Sequence, residues 1–207
     1  MALLLFAPAG TWRWLAGWVF LLEMGGIALA IGLWLARHDP ALLAERLSGG
    51  FVHSWDRILM AVATALWIGW LVLMALDAAR FQWSHVPFWV QGIGAVLIAF
   101  GSYLVYLSFR ENSYAAPVVK IQAERGHHVI SSGPYAHVRH PVYAGALLIF
   151  IGAPLLLGSW WGLAAAPITA ALLAVRAVME ERTLADALPG YRDYEARVRY
   201  RLLPAIW

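Results

Sequence analysis

Residues whose types could do chemistry gather in one stretch, GPYAHVRHPVYAGALL, from Gly133 to Leu148. A tight turn, the triplet Arg139-His140-Pro141 and then Tyr143 stand at the mouth of an apolar segment. Pro141 suits the first turn of a helix, where its missing N–H would have no intrahelical partner. The free N–H groups just after it point back toward Arg139 and His140. Donors and cationic or polar side chains therefore converge where water meets an apolar phase. Such a place suits an anionic or polar ligand.

A second stretch, EERTLADALPGYRDYEARVRYRLLPAIW, runs from Glu180 to Trp207. Glu180 and Glu181 are adjacent, so on a helix they point about 100° apart and both reach one ligand only if it sits over the helix end. Arg176, four residues earlier, is placed to pair with Glu180 as on any solvated helix exit. Leu188-Pro189-Gly190 breaks the chain and predicts a short amphipathic helix after it. There Tyr194, Arg197 and Arg201 share one face, and Arg192, Glu195 and Arg199 another. Most of these arginines read as partners of anionic lipid headgroups. Arg197, aligned with Tyr194, is the one expected to meet a reacting group.

Other polar residues say less. His127, His128, His137 and His140 form no H-x-x-x-H pair on a helix and have no carboxylates at ligand spacing, so no metal site is expected. The absence of Cys excludes disulfides, thiolate–metal sites and a Cys nucleophile. Glu23 falls in the middle of an apolar run, where a charge is costly and marks a functional position by default; its plain reading is a protonated carboxyl packed beside Gly25 and Gly26.

The elements that must position these residues are membrane helices. Apolar residues make up 62% of the 207 and charged residues 13%, against roughly 45–50% and 25% in soluble domains. The expected fold is all-α: one integral membrane domain over 1–207, with N-terminal membrane helices in 1–86 and a core in 87–207 that carries both chemical stretches. Five apolar helices are predicted, over Trp12–Leu35, Asp56–Leu76, Pro87–Phe109, Val142–Leu157 and Trp160–Val178, the last two a tight hairpin around Gly158-Ser159. The first run is too long, and its flank too poor in basic residues, for a signal peptide. With a cytoplasmic C-terminus, every Lys and Arg except Arg13 and Arg80 falls on the inner side, which predicts an inner-membrane protein whose chemistry faces the cytoplasm. That topology accounts for the net charge of +3 without nucleic acid. Tryptophans near the ends of the runs fit interfacial anchors. Small residues at four-residue spacing, Ala61/Ala65/Gly69 and Ala166/Ala170/Ala174, are candidate close-packing stripes or simple Ala richness, and leave oligomeric state unread.

Taken in order, GPYAHVRHPVYAGALL, an apolar hairpin, EERTL and GYRDYEARV resemble the isoprenylcysteine carboxyl methyltransferase and phospholipid methyltransferase superfamily. The resemblance covers about Asn112 to Trp207. It implies S-adenosylmethionine-dependent methyl transfer in the membrane, with a lipophilic or lipidated acceptor arriving sideways from the bilayer. Tyr135, Arg139, His140, Pro141 and Tyr143 would line the cofactor pocket, and Glu180, Glu181, Tyr191 and Tyr194 would close it. Glu181 and Arg197 would act at the reacting groups, Arg197 by orienting an acceptor carboxylate. No side chain stands out as the base that an amine acceptor would need, which favours a carboxylate such as that of an isoprenylcysteine-like amphiphile; a phospholipid amine is the alternative. Membrane sterol-type NADPH reductases carry a similar Arg-His-Pro-x-Tyr block, but with an acidic residue where this chain has Ala146 after Gly145. A transporter would need polar residues meeting at mid-membrane, and only Glu23 is there.

Overall fold

The computed structural model describes residues 1–48 and 50–207, and among these there is helix but no strand. The helices are α1 (Ala2–Ala9), α2 (Leu15–His38), α3 (Pro40–Ser48), α4 (Ser54–Ala75), α5 (Phe88–Glu111), α6 (Pro141–Leu157), α7 (Trp160–Ala164), α8 (Ala166–Ala187) and α9 (Tyr191–Arg197). A π-helical run, Leu76–Phe81, extends α4, and single 3₁₀ turns occupy Ala123–Arg125 and Gly133–Ala136. Four helical stretches are long and apolar enough to cross a membrane: Leu15–His38, Ser54–Phe81, Phe88–Glu111 and Trp160–Ala187. The apolar helix Pro141–Leu157 is shorter.

Local chemistry sets the ends. Asp39 stops α2, and its carboxylate accepts from the Leu42 N–H (2.9 Å), capping α3 behind Pro40. Gly158 ends α6 at φ +87°, a conformation that a side chain would resist. Ser159 then caps α7 by accepting from the Gly162 N–H (2.9 Å). The expected first helix is α2, and a further helix, α1, precedes it: the chain turns at Gly10–Trp14 and α1 packs back against α4. The expected fifth helix breaks after Ala164 and runs on to Ala187, carrying Glu180 and Glu181 within it.

The helices pack about a core of Leu5, Phe6, Phe20, Trp70, Leu71, Met74, Ile98, Ala153, Leu156 and Leu157. At one end of the bundle the buried Asp77 carboxylate accepts from the hydroxyls of Ser84 (2.7 Å) and Ser159 (2.5 Å), tying the end of α4 to the α6–α7 turn. The closest packing joins α5 to α6. A Cβ on Gly101 would lie 2.5 Å from the Gly145 carbonyl, and one on Gly94 would lie 2.6 Å from the Gly152 carbonyl. The seam that matters is thus built from glycines seven residues apart. Of the expected stripes, Ala61, Ala65 and Gly69 are exposed, and no atom stands within 4 Å of a Cβ built on Gly69.

Candidate active site

Opposite the Asp77 end, the starts of α4 and α6 meet the ends of α5 and α8. A cavity of about 300 Å³ opens there, at the lower limit for small-molecule sites. Its walls come from α3 (Arg46), α4 (Met60), the loop after α5 (Asn112 to Ile130), the turn into α6 (Tyr135, Arg139, His140, Val142, Tyr143), α8 (Arg176, Glu180) and α9 (Tyr191, Tyr194).

The turn before α6 is held by the C-terminal tail. Backbone N–H groups of Arg139 and His140 donate to the carbonyls of Tyr200 (2.9 Å) and Arg201 (2.8 Å). The Tyr194 hydroxyl donates to the Tyr135 carbonyl (2.8 Å). Beneath this ladder lies Glu181, only 4% exposed. It accepts from Arg139 Nε (2.7 Å) and Nη2 (3.2 Å) and from Arg201 Nε (2.8 Å), and His140 Nε2 lies 3.1 Å from its Oε1. Arg139 also donates to the Val198 carbonyl (3.0 Å). A buried carboxylate so answered is stable where a lone one would not be. Glu181 thereby joins α8, the turn before α6 and the tail.

The two adjacent glutamates do point apart, as helical geometry demands. Glu180 faces the cavity, accepts from the Tyr143 hydroxyl (2.5 Å) and has His140 Nδ1 at 3.8 Å. The His140 and Tyr143 rings stack in parallel, with centroids 5.2 Å apart. Burial, before any charge, pushes the phenols of Tyr135, Tyr191 and Tyr194 well above their ordinary range, so they stay neutral near pH 7. They can donate hydrogen bonds but cannot serve as phenolate bases.

The expected site residues Tyr135, Arg139, His140, Tyr143, Glu180, Tyr191 and Tyr194 all line this cavity. Pro141 is buried at the first position of α6, and Glu181 lies behind the wall, so each positions lining residues without facing the cavity. Arg197 does not reach the cavity: it is exposed at the end of α9, with Nε near the Asp193 carbonyl (3.4 Å). The reason is that α9 ends there, so the shared face expected for Arg197 and Arg201 stops with the helix, and the tail carries only Arg201 inward. Arg176 also departs from expectation. It pairs with the buried Asp56 of α4 (3.2 Å), not with Glu180. Asp56 accepts from the Val119 N–H as well (2.8 Å), and Arg176 donates to the Pro117 carbonyl, so this pair clamps the loop over the cavity. Glu23 is absent from the cavity lining; its Oε2 is buried without a hydrogen-bond partner. Among the described residues no cluster of metal-binding side chains occurs.

Sequence reasoning passed over Arg46, Asp56 and Lys120 and gave His127 and His128 only a metal-site test. His127 is the most informative of these. Its ring stacks on Tyr114 with centroids 4.3 Å apart, and Nδ1 accepts from the Gln122 N–H (3.3 Å). Burial, then the neighbouring His128 and Arg125, lowers its pKa to about 4. The folded chain therefore keeps this imidazole neutral where an unfolded one, titrating near ~6.5, takes up a proton. The linked stability is complete above about pH 6.5 and is lost as pH falls toward 4. His127→Gln cannot titrate and is expected to lose less thermal stability than the wild type between about pH 7 and 5. Equal losses in the two proteins would remove His127 as the cause.

The family model described as phospholipid methyltransferase matches residues 89–189. That segment holds α5, α6, α8 and most of the cavity wall. No curated protein matches the chain at a significant level.

Proposed function

Because residues 89–189 match the phospholipid methyltransferase family model, we propose that this chain is a membrane methyltransferase whose cavity binds S-adenosylmethionine and methylates the carboxylate of an amphiphile arriving from the bilayer. The observation that carries the reading is Glu180. It is a carboxylate facing a cavity otherwise walled by aromatic rings and by Arg46, Lys120, Arg139 and Arg176. Such a group suits the ribose hydroxyls, or the amino group and sulfonium, of the cofactor. His140, Tyr143, Tyr191 and Tyr194 would hold the remainder, and Tyr135 and Arg139 shape the turn that carries them. When bound, the cofactor supplies an electrophilic methyl group on a sulfonium, which a nucleophile takes by in-line displacement as the S–CH₃ electron pair returns to sulfur.

The chain's own part is placement and exclusion of water. Tyr143 fixes one oxygen of Glu180 and leaves the other free to turn into the cavity. The Asp56–Arg176 clamp holds the loop 117–119 over the opening. A carboxylate acceptor carries no proton to remove. An amine acceptor would need a base; the neutral phenols supply none and His127 only a weak one, so that task would fall to Glu180, His128 or His140. The family description keeps phospholipid N-methylation as the second reading. The basic residues on this side further support a site that faces the cytoplasm.

The test uses purified full chain. S-adenosylhomocysteine should bind by calorimetry and NADPH should not. Glu180→Gln should weaken that binding roughly tenfold or more, the size expected for loss of a charged hydrogen-bond acceptor. Transfer of labelled methyl into a total membrane lipid extract should give a base-labile ester. A base-stable product would point to the amine, and retained affinity in Glu180→Gln would sink the cofactor assignment.

A further inference from the structure

Four cationic side chains line the cavity, and three of them are answered by carboxylates. Arg139 lies on Glu181 and Glu195, Arg176 on Asp56, and Lys120 on Glu45. Arg46 differs. Among the described residues no carboxylate comes within 4.0 Å of it. Its Nη1 donates to the Ala115 carbonyl (2.8 Å), and its guanidinium lies 4.2 Å above the Phe109 ring. A guanidinium has five N–H donors in a planar fork, and among the described residues only this one has a protein acceptor. A half-buried cation held by a ring and one carbonyl, with Arg176 adding like charge nearby, lacks the anion that would balance it.

We propose that Arg46 binds the anionic headgroup of the amphiphilic acceptor, a carboxylate or phosphate, and so fixes which amphiphiles this cavity accepts. The proposal rests on the methyltransferase reading above. Position argues for the acceptor over the carboxylate of the cofactor's methionine moiety. On the reading above the cofactor is held by residues from Tyr135 onward, whereas Arg46 sits on α3, ahead of the segment 89–189. The same cavity has apolar wall for a lipophilic chain, with Met60 of α4 and with Val142 of α6, which packs on the cluster that holds Phe109. The lining therefore holds one carboxylate, Glu180, and, among the described residues, one guanidinium that no carboxylate answers, Arg46. Charge matching assigns the cationic methyl donor to Glu180 and the anionic nucleophile to Arg46.

The probes are N-acetyl-S-farnesylcysteine, its carboxamide and S-adenosylhomocysteine, titrated into full-length protein in detergent. The wild type should bind the acid roughly tenfold or more tightly than the amide, as a charge-assisted fork predicts. Arg46→Gln should abolish that preference while amide and S-adenosylhomocysteine affinities stay within about twofold. Arg46→Lys, which keeps charge without the fork, should keep part of the preference, and its S-adenosylhomocysteine binding reports folding. An unchanged acid preference in Arg46→Gln, or none in the wild type, overturns the proposal. So does an equal loss of S-adenosylhomocysteine affinity, which would give Arg46 to the cofactor. Failure of the wild type to bind S-adenosylhomocysteine would instead defeat the methyltransferase reading, and the acid-to-amide ratio would still decide Arg46.

Discussion

Glu181→Ala is expected to lower the unfolding midpoint by about 10 °C and to abolish S-adenosylhomocysteine binding. The side chain never faces the cavity, so the effect must travel through what it holds. Removing it leaves Arg139, 4% exposed at its side chain, and the half-buried Arg201 without their shared anion. Breaking a buried ion pair from one side costs roughly 3–5 kcal/mol, because the remaining charge stays desolvated. For a chain of this length that corresponds to a shift of about 10 °C. His140 also loses its Nε2 partner, and its ring becomes free to leave the parallel stack on Tyr143. Glu181→Gln keeps two polar atoms but no charge and should fall between wild type and Ala. Arg197→Ala serves as the contrast. Its side chain is exposed, and its loss should stay within about 0.5 kcal/mol and leave ligand affinity unchanged. Thermal unfolding in detergent with calorimetric titration reads both quantities. A Glu181→Ala protein that melts with the wild type and binds S-adenosylhomocysteine as well would show that the knot positions nothing.

What the sequence disclosed and what it concealed follow from the range of the interactions. The spans were legible because hydropathy is additive along the chain, and Pro141, Gly158 and Gly190 mark turns by their own backbone limits. The two chemical stretches were legible because their residues cluster locally. That they meet in space is a different matter. Glu181 lies 42 residues from Arg139, and no local pattern announces the contact. Asp56 and Arg176 are 120 residues apart, and each alone reads as an ordinary polar residue at a helix end. Arg197 was favoured for its alignment with Tyr194, and Arg201 was placed on the same face by carrying the helix past Arg197, whereas the tail folds back by hydrogen bonds to Arg139 and His140. The stripe Ala61/Ala65/Gly69 meets no partner within the chain, because small size permits close approach but does not supply one.

The partner that is supplied lies along α5 and α6, and this makes Gly145→Val the second large expected effect. A Cβ at Gly145 would stand 2.5 Å from the Gly101 carbonyl and 2.8 Å from Val105 Cγ2, so even alanine cannot enter without parting the helices. The obstacle at one side is backbone, which cannot rotate away. Overpacking of this kind costs typically ~1–3 kcal/mol, and the branched side chain belongs at the upper end. The loss should exceed stability alone, because α6 carries His140 at its start and Tyr143 one turn in. Moving α6 outward draws both away from Glu180, which is fixed on α8 and not on the seam. Gly145→Val is therefore expected to weaken S-adenosylhomocysteine binding more than its melting point alone implies. Gly25→Val and Gly26→Val, where nothing lies within 4 Å of the added carbon, control for adding bulk to a membrane helix and should leave that binding intact. If Gly145→Val bound the ligand as tightly as Gly26→Val does, the α5–α6 seam would carry stability without positioning the site.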